Sequence, residues 1–344
     1  MQLTNNHKIG LSSAVFLAHD DYDYDPRPNA ISATGLLKST RQAILSQRAE
    51  AKITTMDISQ LVASSLGTAV HDAVEKAWSN GNYIKALRKL GYPQKVIDRI
   101  VVNPGYIKDA NGRLVPDPNA APLPDKAIPV YMEIRSEKEV DGIVLTGKFD
   151  FVGDGELEDH KTTGVFTYMK KSNDEKYRLQ GSIYRWLNPT IITSDRMLIN
   201  YTFTDWSKLR SMIEKNQGYP QFKMMSVPFT LMSLEDTEAW VRQRIQDIKA
   251  NVNKDESALP LCTAEELWQD PTTYKYYKNP KSKERSTKNF DNFAEAQSRL
   301  MQDGSVGVID IVQGKAKACL YCPAAAICSQ AKQMVVDGLL DMEL

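Results

Sequence analysis

The chain has 344 residues, 43 basic and 43 acidic side chains, a formal net charge of zero and 42% hydrophobic residues. Balanced charge with apolar residues throughout excludes intrinsic disorder as the main state, and near-average glycine and proline without a long heptad run exclude collagen-like and coiled-coil classes. No apolar stretch approaches the ~20 residues that span a bilayer, and the opening MQLTNNHKIG lacks the apolar stretch of a secretory signal, so a cytosolic chain of one large domain, or one and a half, is expected.

In chain order, the first 30 or so residues are polar, and the acidic run Asp20, Asp21, Asp23, Asp25 before Pro26 and Pro28 reads as a solvated loop. Ser32 and Thr34 precede a helical pattern through Leu36, Leu37, Ile44 and Leu45. A stronger helix is predicted over 57–79, where Ile58, Leu61, Val62, Leu66, Val70, Ala73, Val74 and Ala77 recur at three and four before Asn80-Gly81 stops it. A short helix follows near 93–100, then a proline-rich loop over 103–129, of a length that often marks function. Strands are predicted at 130–134, 143–152 and 156–162, the last two joined as a hairpin through Gly153-Asp154-Gly155. A helix at 175–187, strands at 197–203 and 226–231 and a long helix at 233–252 complete this part. The pattern is α/β (α+β): a mixed central sheet flanked by helices. After Pro260 come short strands at 274–278, 287–290 and 306–312, a helix at 291–302 and three of the four cysteines, a small appended subdomain. The expected division is an arm and first helix over 1–50, a core over 51–255 and the cysteine-bearing subdomain over 256–344.

The chemistry concentrates in GKFDFVGDGELEDHKTT, residues 147–163. A two-residue turn at Asp154-Gly155 places Asp150 opposite Asp159, and Lys161 two residues on shares the face of Asp159. Directly opposed side chains have Cβ atoms ~4.5–5.5 Å apart. Two carboxylates so close call for a proton or a cation, and a divalent ion with oxygen ligands suits them. Such an ion activates water and stabilises charge on a phosphoryl oxygen, with Lys161 orienting the water or offsetting the phosphate charge. The alternative is a hairpin whose charged face is merely solvated.

Gly147-Lys-Phe-Asp150 followed by Asp159-His-Lys161-Thr162 resembles the PD-(D/E)XK nuclease superfamily in its RecB-type exonuclease branch. Gly67-Thr-Ala-Val-His71-Asp-Ala-Val-Glu75 matches that branch's G-x-x-x-H-x-x-x-E helix, and Gln180-Gly-Ser-Ile-Tyr184 matches its Q-x-x-x-Y motif. The resemblance implies a restriction-endonuclease-like fold over roughly 30–330 and a core nuclease domain at 51–255. It also implies Mg²⁺ or Mn²⁺ held by Asp150, Asp159, His71 and the carbonyl of His160. In this reading Gly67 permits a close approach, Lys161 assists the water, and Gln180 and Tyr184 orient substrate. Glu133 is either one more acidic ligand or an edge-strand charge.

Cys319, Cys322 and Cys328 form C-x2-C-x5-C, and Cys262 lies 57 positions before the triplet. Without an export signal a metal or cluster site is a better reading than disulfides, and four thiolates suit Zn²⁺ or an iron–sulfur cluster. The arrangement looks like the [4Fe–4S] staple of iron–sulfur nucleases, among them the CRISPR-associated adaptation nucleases, except that their lone cysteine typically precedes the nuclease core and Cys262 follows it. Such a group would pin the last segment to its subdomain.

Two basic clusters are candidates for DNA. KYYKNPKSKERSTK at 275–288 carries Lys281, Lys283 and Arg285 with tyrosines interleaved, suited to gripping phosphates and stacking bases, or equally a mobile hairpin loop. Lys170, Lys171, Lys176 and Arg178 flank Tyr177 near the predicted site. The expectation is a metal-dependent deoxyribonuclease, an exonuclease of phage or bacterial DNA recombination, repair or degradation. Any unwinding motor would be a separate chain, because no Walker A motif is present. The rivals are a non-catalytic DNA-binding or recombination-accessory protein on the same fold, and a zinc-stabilised interaction protein.

Overall fold

The computed structural model describes residues 2–20, 25–49 and 55–342. Of the acidic run, Asp21 and Asp23 lie outside the described residues. The chain divides into two units, Met1–Leu37 with Ile53–Gln246, and Lys38–Lys52 with Asp247–Leu344. Residues 38–49, read from sequence as part of an N-terminal arm, thus belong with the cysteine-bearing segment.

The first unit is a mixed sheet between helices, as expected for the restriction-endonuclease-like fold. Its elements are α1 (Val62–Trp78), α2 (Asn82–Lys89), β1 (Ile100–Val102), β2 (Ile128–Met132), β3 (Arg135–Val140), β4 (Ile143–Lys148), β5 (Phe151–Gly153), β6 (Glu156–Thr163), α3 (Asp174–Leu187), β7 (Arg196–Phe203) and β8 (Met224–Thr230). The six-stranded sheet runs β8-β7-β6-β5-β2-β1. The β6–β7 and β2–β1 pairs are parallel and the others antiparallel. A second sheet places β4 between β3 and the short strand Ala30–Ser32.

Two Asp-Gly turns set the registers that matter. Asp154 and Gly155 have φ of 49° and 84°, and Asp141 and Gly142 have 50° and 81°, the left-handed pair that a two-residue hairpin needs. The first fixes Phe151 opposite Glu158, the predicted register. The second fixes Val140 opposite Ile143 and Arg135 opposite Lys148, and the same count continues to Phe151 opposite Met132. Residues 128–153 are therefore one long hairpin. It is interrupted only at Glu133–Ile134 and Phe149–Asp150, where Glu133 takes φ of 54° and its N–H donates to the Asp150 carbonyl. The strand predicted over 143–152 is thus bent at Asp150 and shared between two sheets, and its partner β3 went unpredicted because Arg-Ser-Glu-Lys-Glu at 135–139 carries no apolar alternation.

Alternation along β6 sends Leu157, Asp159 and Lys161 to one face and Glu158 and His160 to the other. The first face is covered by α3, and the glycine of Gly147-Lys-Phe-Asp150 has its reason here. A Cβ on Gly147 would come within 2.7 Å of Leu187 Cδ1 and 3.1 Å of the Tyr184 ring. The second face lies under α1, where the Trp78 and Phe151 rings are 5.0 Å apart. The long helix predicted at 57–79 opens as a single 3₁₀ turn, Ile58–Leu61, before α1. Other elements escaped the sequence reading: a helix at Leu11–Ala18 within the polar opening, α2, and the short helices Val165–Lys170 and Lys208–Ile213. In the proline-rich loop, Tyr106–Lys108 pairs with Leu114–Pro116.

In the second unit, Thr273–Tyr277 is the centre of a three-stranded antiparallel sheet between Lys288–Phe290 and Val308–Val312, with the helix Phe293–Gln302 packed on it. The rest consists of the helix Thr40–Ala49, the 3₁₀ turns Ala318–Tyr321 and Ala325–Ile327, and the helix Ser329–Val336. Their small core is built on Leu267, Ala316, Ala325, Ala331 and Met334, with the cysteines packed among them.

Candidate metal centre and cysteine pocket

Asp150 sits where the long hairpin bends, and its carboxylate takes over a bond that the departing strand leaves open. Alternation from the turn makes 149 and 160 a hydrogen-bonded pair position. The Phe149 N–H instead goes to the Ile134 carbonyl, and the His160 N–H donates to Asp150 Oδ2 at 3.0 Å. From α1, His71 Nδ1 lies 3.3 Å from the same oxygen. Across the second register Glu133 faces Asp150, and one ligand atom from each of His71, Glu133 and Asp150 lies within 4.8 Å of the other two. Together with His160, these three line a small pocket. Oxygen and imidazole donors at this spacing fit a hard divalent cation.

On the other face, Asp159 is 2% exposed and Lys161 Nζ lies 2.5 Å from its Oδ2. Apart from that ion contact, Asp159 Oδ2 is buried without a hydrogen-bond partner. Burial, with Asp150 adding to it, raises the Asp159 carboxyl to about 6 against the opposing pull of Lys161. Burial works against the Lys161 ammonium too, but Asp159 and Asp150 outweigh it and hold its pKa above the usual lysine value. For Asp150, burial is outweighed by His71, Lys161 and the His160 amide, which keep the carboxyl below its ordinary range. The Asp150 hydrogen bond raises His71, burial lowers His160, and burial raises Glu133 in spite of its ion pair with Lys148.

Of the predicted site residues, the structure brings His71, Asp150 and His160 around one pocket with Glu133, and places Asp159 and Lys161 on the adjoining strand face. Glu133 belongs to the close cluster and Asp159 does not; the Asp141-Gly142 turn, counted back from β3, was the sequence signal for that pairing. Gly67 needs no close approach, since a Cβ there would meet nothing within 4 Å. Gln180 Nε2 donates to the Tyr184 hydroxyl at 2.8 Å, and the Tyr177 ring lies 5.3 Å beneath the Lys161 ammonium. Lys170 and Lys171 are exposed between β6 and α3, whereas Arg178 is committed to Glu175 on its own helix at 2.7 Å and 2.9 Å. In the second unit, Lys281, Lys283 and Arg285 lie exposed between two strands of the small sheet, and Lys283 is paired with Asp310 at 2.7 Å.

The four cysteines line one pocket of the second unit. Burial and the other three sulfurs push the Cys319 thiol up to about 11, and burial raises Cys262 and Cys322. Thiolates in that pocket therefore need a cationic partner, which a thiolate-ligated metal group supplies. Sequence reasoning missed Arg41, 1% exposed. Its Nε donates to Cys328 Sγ at 3.2 Å, its other nitrogens donate to the Leu259 carbonyl and Ser329 Oγ, and it is ion-paired with Glu256. An arginine on a polar helix carries no sequence sign that it is buried.

The family model described as the PD-(D/E)XK nuclease superfamily matches residues 40–329. The chain belongs to this superfamily. PD-(D/E)XK proteins are nucleases that generally use Mg²⁺ or Mn²⁺, with DNA as substrate. Among solved structures, the superfamily member is similar to SSO0001 at 13% identity and a TM-score of 0.38, over 72% of this chain and 92% of that one. It is also similar to a phage related exonuclease from Haemophilus somnus 129PT at 16% identity and a TM-score of 0.23, over 35% of this chain and 59% of that one. No curated protein matches it significantly. Among the described residues no helix is long and apolar enough to cross a membrane.

Proposed function

We propose that the chain is a Mg²⁺- or Mn²⁺-dependent deoxyribonuclease of the RecB-type branch, an exonuclease that hydrolyses phosphodiester bonds from DNA ends. The observation that carries this reading is the convergence of His71, Glu133 and Asp150 within 4.8 Å beside the Asp159–Lys161 pair. Asp150, His71 and the carbonyl of His160 hold the cation, with Glu133 as an added ligand and Asp159 completing the set from the neighbouring strand. When bound, the cation lowers the pKa of a water and stabilises charge on the attacked phosphate. Lys161, its charge kept by Asp159, donates to the attacking water or to a phosphate oxygen. Tyr177 limits the ammonium's freedom from below, and the Gln180–Tyr184 pair orients the substrate backbone. Lys170 and Lys171 hold flanking phosphates, with Lys281, Lys283 and Arg285 as a second basic segment.

In the second unit, Cys262, Cys319, Cys322 and Cys328 hold a [4Fe–4S] cluster in preference to Zn²⁺. The four sulfurs line one pocket, and the C-x2-C-x5-C triplet with a distant fourth cysteine supports the cluster reading. Absorbance near 400 nm after anaerobic purification distinguishes the two. The setting that fits is the cytoplasm of a bacterial cell, in phage or host DNA recombination, repair or degradation, with any helicase or recombination partner a separate chain.

The test is digestion of end-labelled single- and double-stranded DNA with Mg²⁺ or Mn²⁺. Metal-dependent cleavage by the native chain, lost in Asp159→Ala and Lys161→Ala, supports the reading. Full activity in both variants removes it.

A further inference from the structure

Beside the metal-capable pocket, on the α1 face of the sheet, lies a cavity of about 490 Å³, a volume within the ~300–1,000 Å³ of small-ligand sites. Its walls are largely apolar and aromatic, with Trp78, Tyr92, Val130 and Phe151 among them, and two polar side chains, Glu158 and His160, reach it from β6. Interiors are normally close-packed, yet none of the 17 residues of α1 is fully buried: Trp78 packs against Val130, Met132 and Phe151, while it and Val74 also border this space. Tyr92, 51% exposed, is fixed at the end of α2 by its N–H donating to the Leu87 carbonyl at 3.0 Å.

We propose that this cavity receives one unstacked nucleobase of the DNA substrate, belonging to the nucleotide next to the phosphate being cut. The proposal rests on the nuclease reading and deepens it. Continuity with the chemistry identifies the occupant: Val74 and His160 line both the cavity and the pocket formed with Glu133 and Asp150. His160 is also the residue whose N–H holds Asp150, so a phosphate at Asp150 carries its adjoining base past this imidazole. The exposed Tyr92 ring offers a stacking surface that any base can use, and Trp78, stacked on Tyr83 and 5.0 Å from Phe151, forms a fixed aromatic wall. Glu158, its carboxylate held by Asn200 at 2.7 Å, accepts from a base N–H at the cavity floor. A paired base must first leave its stack, at a cost of a few kcal/mol that is smallest for unpaired strands. The cavity therefore favours single-stranded or frayed ends over continuous duplex.

The experiment places 2-aminopurine at successive positions around the scissile phosphate of a single-stranded oligonucleotide, bound to the full chain with Ca²⁺ to slow cleavage, and measures KM with Mg²⁺. Tyr92→Ala removes an exposed ring and Val96→Trp fills the cavity from its wall; thermal melting establishes that each variant is folded. In the native protein one position is strongly quenched. In both variants the quenching is relieved, and KM for single strands rises about tenfold, the scale of one base–aromatic stack. Folded variants that keep native KM and native quenching overturn the assignment, with the nuclease reading intact if the native chain cuts. A native chain that cuts no DNA with either metal overturns both.

Discussion

The two metal-capable regions are built in opposite ways. Around Asp150 the carboxylates are placed by hairpin register, and each already has a counter-charge: His71, from α1, against Asp150, Lys161 against Asp159 and Lys148 against Glu133. Cys319, Cys322 and Cys328 instead lie on or at the ends of single 3₁₀ turns among alanines, burial raises the thiols of Cys262, Cys319 and Cys322, and Arg41 is the cation touching Cys328. On the proposed reading the first region keeps its fold without an ion and takes one for chemistry. The second has small apolar clusters, and a group bound by its thiols would be part of its folding free energy.

The comparison is most strongly challenged by removing each group in turn. Stripping the thiolate-bound group, or Cys322→Ser, should unfold residues 247–342 with helix Thr40–Ala49 while the sheet unit stays folded, because structural thiolate sites contribute about 10 kcal/mol or more. Hydrogen exchange resolved by segment reads this, and uniform loss of protection in both units would contradict the contrast. Chelating the divalent ion should lower the melting temperature only by mass action, about 2.7 kcal/mol at a hundredfold excess over Kd, as calorimetry with and without Mg²⁺ measures.

Arg41→Leu leaves Cys328 and the Leu259 carbonyl without their donor, while the part-exposed Glu256 keeps its bonds from Ser329. A buried group left unsatisfied costs about 1–3 kcal/mol, so denaturant unfolding of the cysteine unit should shift while cleavage by the other unit's residues persists. Asp150→Ala should do the reverse. Cleavage falls on the order of a thousandfold, as several kcal/mol of charge stabilisation are lost, and the circular dichroism melt hardly moves. Gly147→Ala sharpens the picture at a smaller scale. Its Cβ would press on Leu187 and Tyr184, an overpacking cost of about 1–3 kcal/mol, read as a lower melting temperature of the sheet unit and weaker activity through a displaced α3.

The sequence made the Asp150–Asp159 register legible because Asp154-Gly155 is a turn whose length fixes every facing pair. It left Glu133 ambiguous because the matching turn, Asp141-Gly142, joins a strand of alternating charge that shows no apolar period. The order of the motifs revealed the superfamily, but not the bend at Asp150, which exists only where two sheets share one hairpin. Arg41 and the grouping of 38–49 with the cysteines were hidden for another reason: they depend on contacts more than 200 residues apart. The cavity under α1 was hidden too, since apolar spacing along a helix reads the same whether its inner face meets a core or an opening.

The claim on which the rest stands is that the second hairpin register, with α1, brings Asp150, Glu133 and His71 to one ion. Anomalous diffraction from crystals soaked in Mn²⁺ addresses it directly. The expected result is a single strong peak bonded to Asp150 and His71, with oxygens from Glu133 or Asp159 at about 2.0–2.2 Å. A peak elsewhere in the chain, or none beside Asp150 at millimolar Mn²⁺, would contradict it.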